Sequence, residues 1–321
     1  MLRLGIIGCS EIAYRRFMPA VQNVEGIRVI AVAEEYAPAK LANFCADYHL
    51  EAETDFKHLI EREDIDALYI PQPPALHYKW AKYALEHGKH VLVEKPSTMC
   101  FADTKDLVDT AKKGGLALHE NYMFQYHSQI RDIRNLIAEG KIGEVRLYRA
   151  SFGFPMRAQN DFRYKKNLGG GALLDAGGYT VKLATKFLGE TVRVDAARLY
   201  SLPGFEVDMM GSASLSSEDG VAFQVGFGMD CHYQCLLEVW GSKGKLTANR
   251  IFTAPPALEP VITIETAEGK EEIKLSADSH FEHSIERFAE ACGDTKTREQ
   301  NYREILLQAS LIDQIRAKNE E

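Results

Sequence analysis

Apolar positions in the first 121 residues switch between two periods. Short apolar runs at Leu2–Ile7, Arg28–Ala33, Ala67–Ile70, His90–Val93 and Leu116–His119 predict strands. The stretches between them, Glu11–Val24, Pro38–Tyr48, Ala75–Glu86 and Phe101–Lys113, carry the spacing of amphipathic helices. Strands alternating with helices of this length predict an α/β fold: a doubly wound parallel sheet of the Rossmann type, helices on both faces. Such sheets take ligands at the carboxyl ends of their strands, so the residues after each strand are where chemistry is expected.

After Asn121 the pattern changes. A helix near Ser128–Gly140 leads into alternating segments: EVRLYRASFGF, VRVDAARLYS, GSASLSSEDGVAFQVGFGM, CLLEVWGSKGKLTANR and PVITIETAEGKEEIKL. Turn signals such as Asp219-Gly220 and Gly241–Gly244 divide them. They predict a C-terminal α+β domain with a largely antiparallel, open sheet. A helix from Gly171 to Leu188 lies among them, and helices near Ser279–Cys292 and Glu299–Lys318 close the chain. The expected division is a nucleotide-binding domain over 1–121 and a substrate-binding and oligomerisation domain over 122–321.

A length of 321 residues suits two domains of roughly 150 each. The formal charge of −8 argues against nucleic acid or an anionic membrane as the main partner. No apolar stretch has the length of a membrane span, and the N-terminus lacks a signal-peptide layout, so a cytoplasmic location is expected. Six scattered cysteines form no disulfide framework; Cys231 and Cys235, read as one strand face, are expected to be buried thiols rather than zinc ligands. No cluster has metal-ligand spacing, and none is expected to hold a metal.

GIIGCSEIA after the first strand is a degenerate dinucleotide fingerprint: Gly8 in the first glycine place, Ser10 in the second, Ala13 in the third. It supplies a tight turn and a helix start whose amides, at Gly8, Cys9, Ser10, Glu11 and Ile12, face a pyrophosphate. The second strand ends in Glu34 and Glu35. An acid at Glu34 accepts from the adenosine ribose hydroxyls and repels a 2′-phosphate, which favours NAD over NADP; Glu35 is a second candidate, while Arg15 and Arg16 could draw a phosphate.

The strand His90–Val93 runs into Glu94-Lys95-Pro96, placing a lysine at a strand end where it can stabilise a developing alkoxide. In GGGALLDAGGY, Asp175 and Tyr179 are four apart, one helix face. Gly177 and Gly178 inside that helix imply a close approach by a backbone or a ligand.

With IPQPPALH (Ile70–His77), these motifs make the whole chain resemble the Gfo/Idh/MocA oxidoreductases. The resemblance implies a catalytic Lys95, and cofactor contacts from Pro71, Gln72, Pro73, His77, Glu94, Lys95 and Asn121 beside the phosphate loop and Glu34. It also implies a homodimer or homotetramer built through the C-terminal sheet. Many members carry histidine where this chain has Tyr179. That tyrosine, with SFGFP and DFRY upstream, resembles the branch of nucleotide-sugar 3-ketoreductases and dihydrodiol dehydrogenase-like enzymes.

The expected reaction is hydride transfer between NAD, or NADP, and a carbinol or ketone carbon of a sugar-like small molecule. Tyr179 would pass the proton, its phenolate favoured by a nearby Lys95 ammonium, and Asp175 would orient. Substrate contacts are expected from Lys95, Tyr122, Arg163, Tyr164, Asp175 and Tyr179, with His127 a further candidate. Arg157, Lys165 and Lys166, with Arg163, are the basic groups that could hold a diphosphate. Dehydrogenation of a free sugar, cyclitol or dihydrodiol is the alternative within enzymes. A non-catalytic dinucleotide sensor is the alternative outside them.

Overall fold

The computed structural model describes residues 1–320, which fall into two compact units. The first comprises Met1–Asn121 and Phe281–Ala309, the second Tyr122–His280 and the chain from Ser310.

In the first unit the order is β1 (Leu2–Ile7), α1 (Met18–Val21), β2 (Ile27–Ala33), α2 (Pro38–Tyr48), β3 (Glu51–Glu53), α3 (Phe56–Glu61), β4 (Ala67–Ile70), α4 (Pro74–Glu86), β5 (His90–Val93), α5 (Phe101–Gly114) and β6 (Leu118–Glu120). All six strands are parallel, in the order β3-β2-β1-β4-β5-β6. This is the doubly wound arrangement expected, with its switch point between β1 and β4. β4 is buried at every position, which is why its sequence is an unbroken apolar run.

Two elements escaped the periodicity. β3 is Glu-Ala-Glu at the sheet edge and α3 is six residues long, so neither carries a readable apolar period. α3 is instead fixed by Asp55, whose carboxylate accepts from the Lys57 and His58 amides. β6 begins two residues later than expected, because Leu116 closes α5: its amide donates to Ala111, and its carbonyl accepts from the Tyr302 hydroxyl.

That tyrosine comes from near the chain's end. The chain closes with two helices, α8 (His280–Gly293) and α9 (Thr295–Glu320), and their Phe281–Ala309 stretch is part of the first unit. Tyr302 and Ile305 are buried in one core with Phe56, Leu68, Trp80 and Leu118. A single cut after Asn121 therefore leaves out a returning segment.

The second unit holds α6 (Ser128–Ala138), β7 (Val145–Gly153), α7 (Gly178–Leu188), β8 (Arg193–Tyr200), β9 (Met210–Ser216), β10 (Ala222–Gly228), β11 (Gln234–Gly241), β12 (Gly244–Asn249), β13 (Val261–Thr266) and β14 (Gly269–Lys274). α8 and α9 follow. The eight strands form one sheet, β14-β13-β12-β11-β7-β10-β9-β8, antiparallel except for the β7–β10 pair.

Alternation along β7 turns Tyr148, Ala150 and Phe152 inward, where α7 packs across β7 and β10. Arg149 faces the other way and pairs with Glu238 on β11 at 3.2 Å. Trp240 on that outer face is 54% exposed. Cys231 and Cys235 do not share a strand: a bend over 229–232 precedes β11, leaving Cys235 buried in the strand and Cys231 half-buried before it. Among the described residues, no helix is long and apolar enough to cross a membrane.

Candidate active site

The turn after β1 begins at Gly8, whose φ of +101° suits glycine, and a Cβ there would lie 2.0 Å from Gln72 Nε2. That amide donates to the Ile7 carbonyl at 3.0 Å, so the residue after Pro71 fastens the end of β1. Ser10 Oγ accepts from the Ala13 amide at 3.2 Å, leaving the first-turn amides of Glu11 and Ile12 as donors that a helix start cannot satisfy itself. The helix is not regular: a π turn covers Ala13–Phe17 before α1.

Glu34, at the end of β2, reaches the loop. Its carboxylate accepts from the Cys9 amide at 2.8 Å and the Tyr36 amide at 2.9 Å. Glu35 does not share that position; it accepts from the Phe56 amide at 3.1 Å and supports the start of α3. Arg15 is paired with Glu11 at 2.7 Å, both exposed. Burial, reinforced by the Glu34 charge, pushes the Cys9 thiol up to about 12, which keeps it protonated and unreactive. A tight glycine turn, open helix-start amides and an acid beside them fit a dinucleotide.

The ends of β4, β5 and β6 form the second part. His77, buried on α4, places Nε2 2.6 Å from the Gln72 carbonyl and Nδ1 2.7 Å from the Pro96 carbonyl, joining the Pro71–Pro73 turn to the turn after Lys95. Two carbonyls would suit a doubly protonated ring. Burial opposes that more strongly and, with the Lys95 charge, pushes its pKa down to about 4.

The Lys95–Pro96 peptide is cis. Glu94, just before it, accepts from the Tyr69 hydroxyl at 2.7 Å and the Asn121 side-chain amide at 2.6 Å. Enclosure raises its carboxyl above the usual range, against those two hydrogen bonds and the Lys95 charge. Tyr69 is itself stacked on Phe17 of the first π turn at 3.9 Å. Asn121 Oδ1 accepts from Ser284 Oγ at 2.8 Å, Ser284 lies 3.1 Å from His119 Nε2, and Asn301 lies 3.2 Å from His119 Nδ1. Ser284 and Asn301 arrive on the returning helices, and nothing in their local sequence announces them.

In the second unit, Asp175 and Tyr179 are near each other along the chain but not on one regular helix. Leu173–Gly177 is a π turn, and α7 begins at Gly178. The turn is anchored by Asp208, whose carboxylate accepts from Leu173 at 2.6 Å and whose carbonyl accepts from Ala172 at 2.8 Å. The close approach expected at the glycine pair is real, and a side chain makes it: a Cβ on Gly178 would lie 2.0 Å from Tyr122 Oη, and one on Gly177 would lie 3.1 Å from the Phe227 ring.

Tyr179 is 8% exposed and sits in an aromatic cluster. Tyr122 meets it edge-on at 5.3 Å, as do Phe152 at 5.1 Å and Phe252 at 5.9 Å, and Phe124 lies tilted to it at 5.7 Å. Tyr122 was expected here; the three phenylalanines were not.

Arg163 and Tyr164 are engaged within the protein instead of presented to a ligand. Arg163 Nε donates to Asp175 at 2.7 Å and Nη1 to Asp161 at 3.2 Å. Burial works against its charge, but Asp175 and Asp161 more than offset that and hold its pKa above the usual value. Tyr164 is buried, its hydroxyl accepting from the Arg157 amide at 2.7 Å. His127 caps α6, accepting from the Gln129 amide at 3.1 Å.

Six parallel strands in the 3-2-1-4-5-6 order, a glycine turn after β1 and a lysine after β5 fit a nicotinamide-dinucleotide oxidoreductase. Residues 2–122 match the profile of the oxidoreductase family with an NAD-binding Rossmann fold, and residues 130–247 that of the GFO/IDH/MocA C-terminal domain. The chain belongs to the Gfo/Idh/MocA family. It is 40% identical to a dTDP-3,4-didehydro-2,6-dideoxy-alpha-D-glucose 3-reductase of Saccharopolyspora spinosa, over 90% of this chain and 86% of that one. It is 39% identical to the enzyme of that name from Actinomadura kijaniata, over 98% and 95%. The crystal structure of a 3-ketoreductase from Actinomadura kijaniata with NADP and TDP-benzene superposes with a TM-score of 0.95 at 38% identity, covering 99% of this chain and 97% of that one. The fold class and the family branch read from the sequence are thus both borne out.

Proposed function

We propose that this enzyme reduces the 3-keto group of a dTDP-linked deoxyhexose. The observation that carries the reading is the similarity over nearly the whole chain to 3-reductases of such sugars. A nicotinamide dinucleotide held here would supply the hydride for the carbonyl carbon. Lys95 holds the carbonyl oxygen and stabilises the charge that develops on it. Glu94, fixed by Tyr69 and Asn121, anchors the peptide from which Lys95 projects. Tyr179 gives the proton that completes the alcohol and regains one from solvent. Asp175 orients without transferring a proton, because Arg163 holds its carboxylate. The Gly8–Ile12 loop, Glu34, the Pro71–Pro73 turn, His77 and Asn121 bind the dinucleotide.

NAD is the preferred partner in this reading, since Glu34 stands where a 2′-phosphate would bring more negative charge and no arginine follows it. Comparing kcat/KM for NADH and NADPH decides between it and the NADP bound to the Actinomadura enzyme. The outer sheet face, with Trp240 exposed, is the surface for a dimer or tetramer.

Absorbance at 340 nm tests the activity, with both dinucleotides and a panel of dTDP-ketosugars, free sugars, inositols and dihydrodiols. Turnover on a dTDP-sugar, lost in Lys95→Ala and Tyr179→Phe with dinucleotide binding intact, is expected. Turnover on free polyols alone would overturn the substrate class.

A further inference from the structure

Arg250 has a strained backbone conformation. It directly follows β12 with φ at +57°, the left-handed region that a long side chain rarely adopts. The kink sends Ile251 and Phe252 into the core, both 0% exposed, and leaves Arg250 at the surface. Its guanidinium is held by an aromatic residue: Nη1 donates to the Tyr233 hydroxyl at 2.9 Å, and the guanidinium carbon lies 4.8 Å from that ring's centre. Tyr233 is fixed in turn, its hydroxyl 2.8 Å from Thr253 Oγ1. Among the described residues no carboxylate pairs with Arg250, in contrast to Arg163 with two.

The position matters as much as the partners. Gln234 pairs with Gly153, Gly153 with Gly228, and Leu236 with Asn249, so the ends of β7, β10 and β12 and the start of β11 share one edge of the sheet. Phe152 and Phe252, both against Tyr179, come from those same ends. Phe154 donates to the Gly228 carbonyl and accepts from the Cys231 amide, both at 3.1 Å, which ties the neighbouring loops together. Arg157 lies over the Phe154 ring at 5.2 Å, a second exposed cation on an aromatic seat. On a chain of net charge −8, two arginines seated on aromatic rings, neither paired with a carboxylate among the described residues, can each attract an anion.

We propose that Arg250, seated on Tyr233, binds the diphosphate of a nucleoside-diphosphate sugar, with Arg157 on Phe154 as the second cation. A guanidinium offers paired donors to phosphate oxygens, and the adjacent aromatic faces suit a flat pyrimidine. The assignment rests on the dTDP-sugar reading above and names the residues that would select a nucleotide-linked sugar over a free one. It replaces Arg163, which Asp161 and Asp175 neutralise, with a cation from the turn after β12.

Calorimetric titration of dTDP, thymidine and NADH into the full chain tests it. Arg250→Ala is expected to weaken dTDP binding by about tenfold or more, leaving thymidine and NADH unchanged. Arg250→Gly relieves the left-handed backbone, so it is expected to melt no lower than the wild type and still lose dTDP, which separates binding from folding. Unchanged dTDP affinity in both variants overturns the subsite while the dTDP-sugar reading stands. A wild-type protein that binds NADH but no dTDP overturns both.

Discussion

Gly178→Ala puts the geometry around Tyr179 to a quantitative test. The backbone at Gly178, φ −54° and ψ −36°, is ordinary right-handed helix, so alanine meets no conformational objection and by propensity alone would stabilise by about 0.5–1 kcal/mol. The new methyl, however, would lie 2.0 Å from Tyr122 Oη and 3.0 Å from its Cζ. Tyr122 is 0% exposed, and its ring cannot swing aside. Overpacking of this kind costs about 1–3 kcal/mol, so the net change is a loss of about 0.5–2 kcal/mol. For a protein of this size that lowers Tm by about 1–3 °C in scanning calorimetry. The displaced Tyr122 pushes on Tyr179, 5.3 Å away edge-on, and kcat is expected to fall by about ten- to a hundredfold with dinucleotide affinity unchanged. Tyr122→Phe in the same chain removes the atom at 2.0 Å and leaves the ring carbons at 3.0 Å and 3.4 Å, so the double variant should recover most of the lost Tm. A Gly178→Ala protein that melts higher than the wild type, or a double variant no more stable than the single, would refute the reasoning.

Three further outcomes follow from the same structure. Glu34→Ser removes a carboxylate from the end of β2, and the ratio of kcat/KM for NADPH over NADH should rise by about tenfold, while an unchanged ratio would remove Glu34 from cofactor choice. Arg163→Ala strands two largely enclosed carboxylates and should destabilise by about 2–4 kcal/mol in urea unfolding; Asp175→Asn, which keeps a hydrogen-bonding partner, should cost less than half as much. His77, with a folded pKa of about 4 against an ordinary value near 6.5, binds its proton more readily when unfolded; its contribution is complete above about pH 6.5 and is lost as the pH falls toward 4, amounting to about 3 kcal/mol. Urea midpoints between pH 7 and pH 4.5 should therefore fall less steeply in His77→Gln, and parallel slopes would remove His77 as the source.

Where a local pattern alone dictates structure, the sequence was enough. The apolar runs of β1, β2, β4 and β5 and the helices between them could be read directly, because each is buried on a face that repeats along its own length. β3 and α3 were invisible because one is polar at an edge and the other too short to show a period. The π turns at Ala13–Phe17 and Leu173–Gly177 were read as plain helix, since an extra residue in a turn hardly alters the apolar spacing. The return of Phe281–Ala309 could not be read either: Tyr302 is an unremarkable residue in an amphipathic helix until its hydroxyl meets the Leu116 carbonyl.

The candidate site divides along the same line. Gly8–Ile12 and Glu94–Lys95 are contiguous, so a motif carries both their identity and their placement. Ser284, Asp208, Phe152 and Phe252 act through neighbours far along the chain, and strand register or a returning helix brings them there. Charge shows the difference most sharply. In the sequence Arg163 belongs to a basic loop fit to grip an anion, and Arg250 is a lone arginine in a turn. In the fold, Asp161 and Asp175 neutralise the first, while the second stands on Tyr233 and, among the described residues, pairs with no carboxylate. The cation available to a ligand is set by which carboxylates the folded chain brings to it, and that partnership has no local signature.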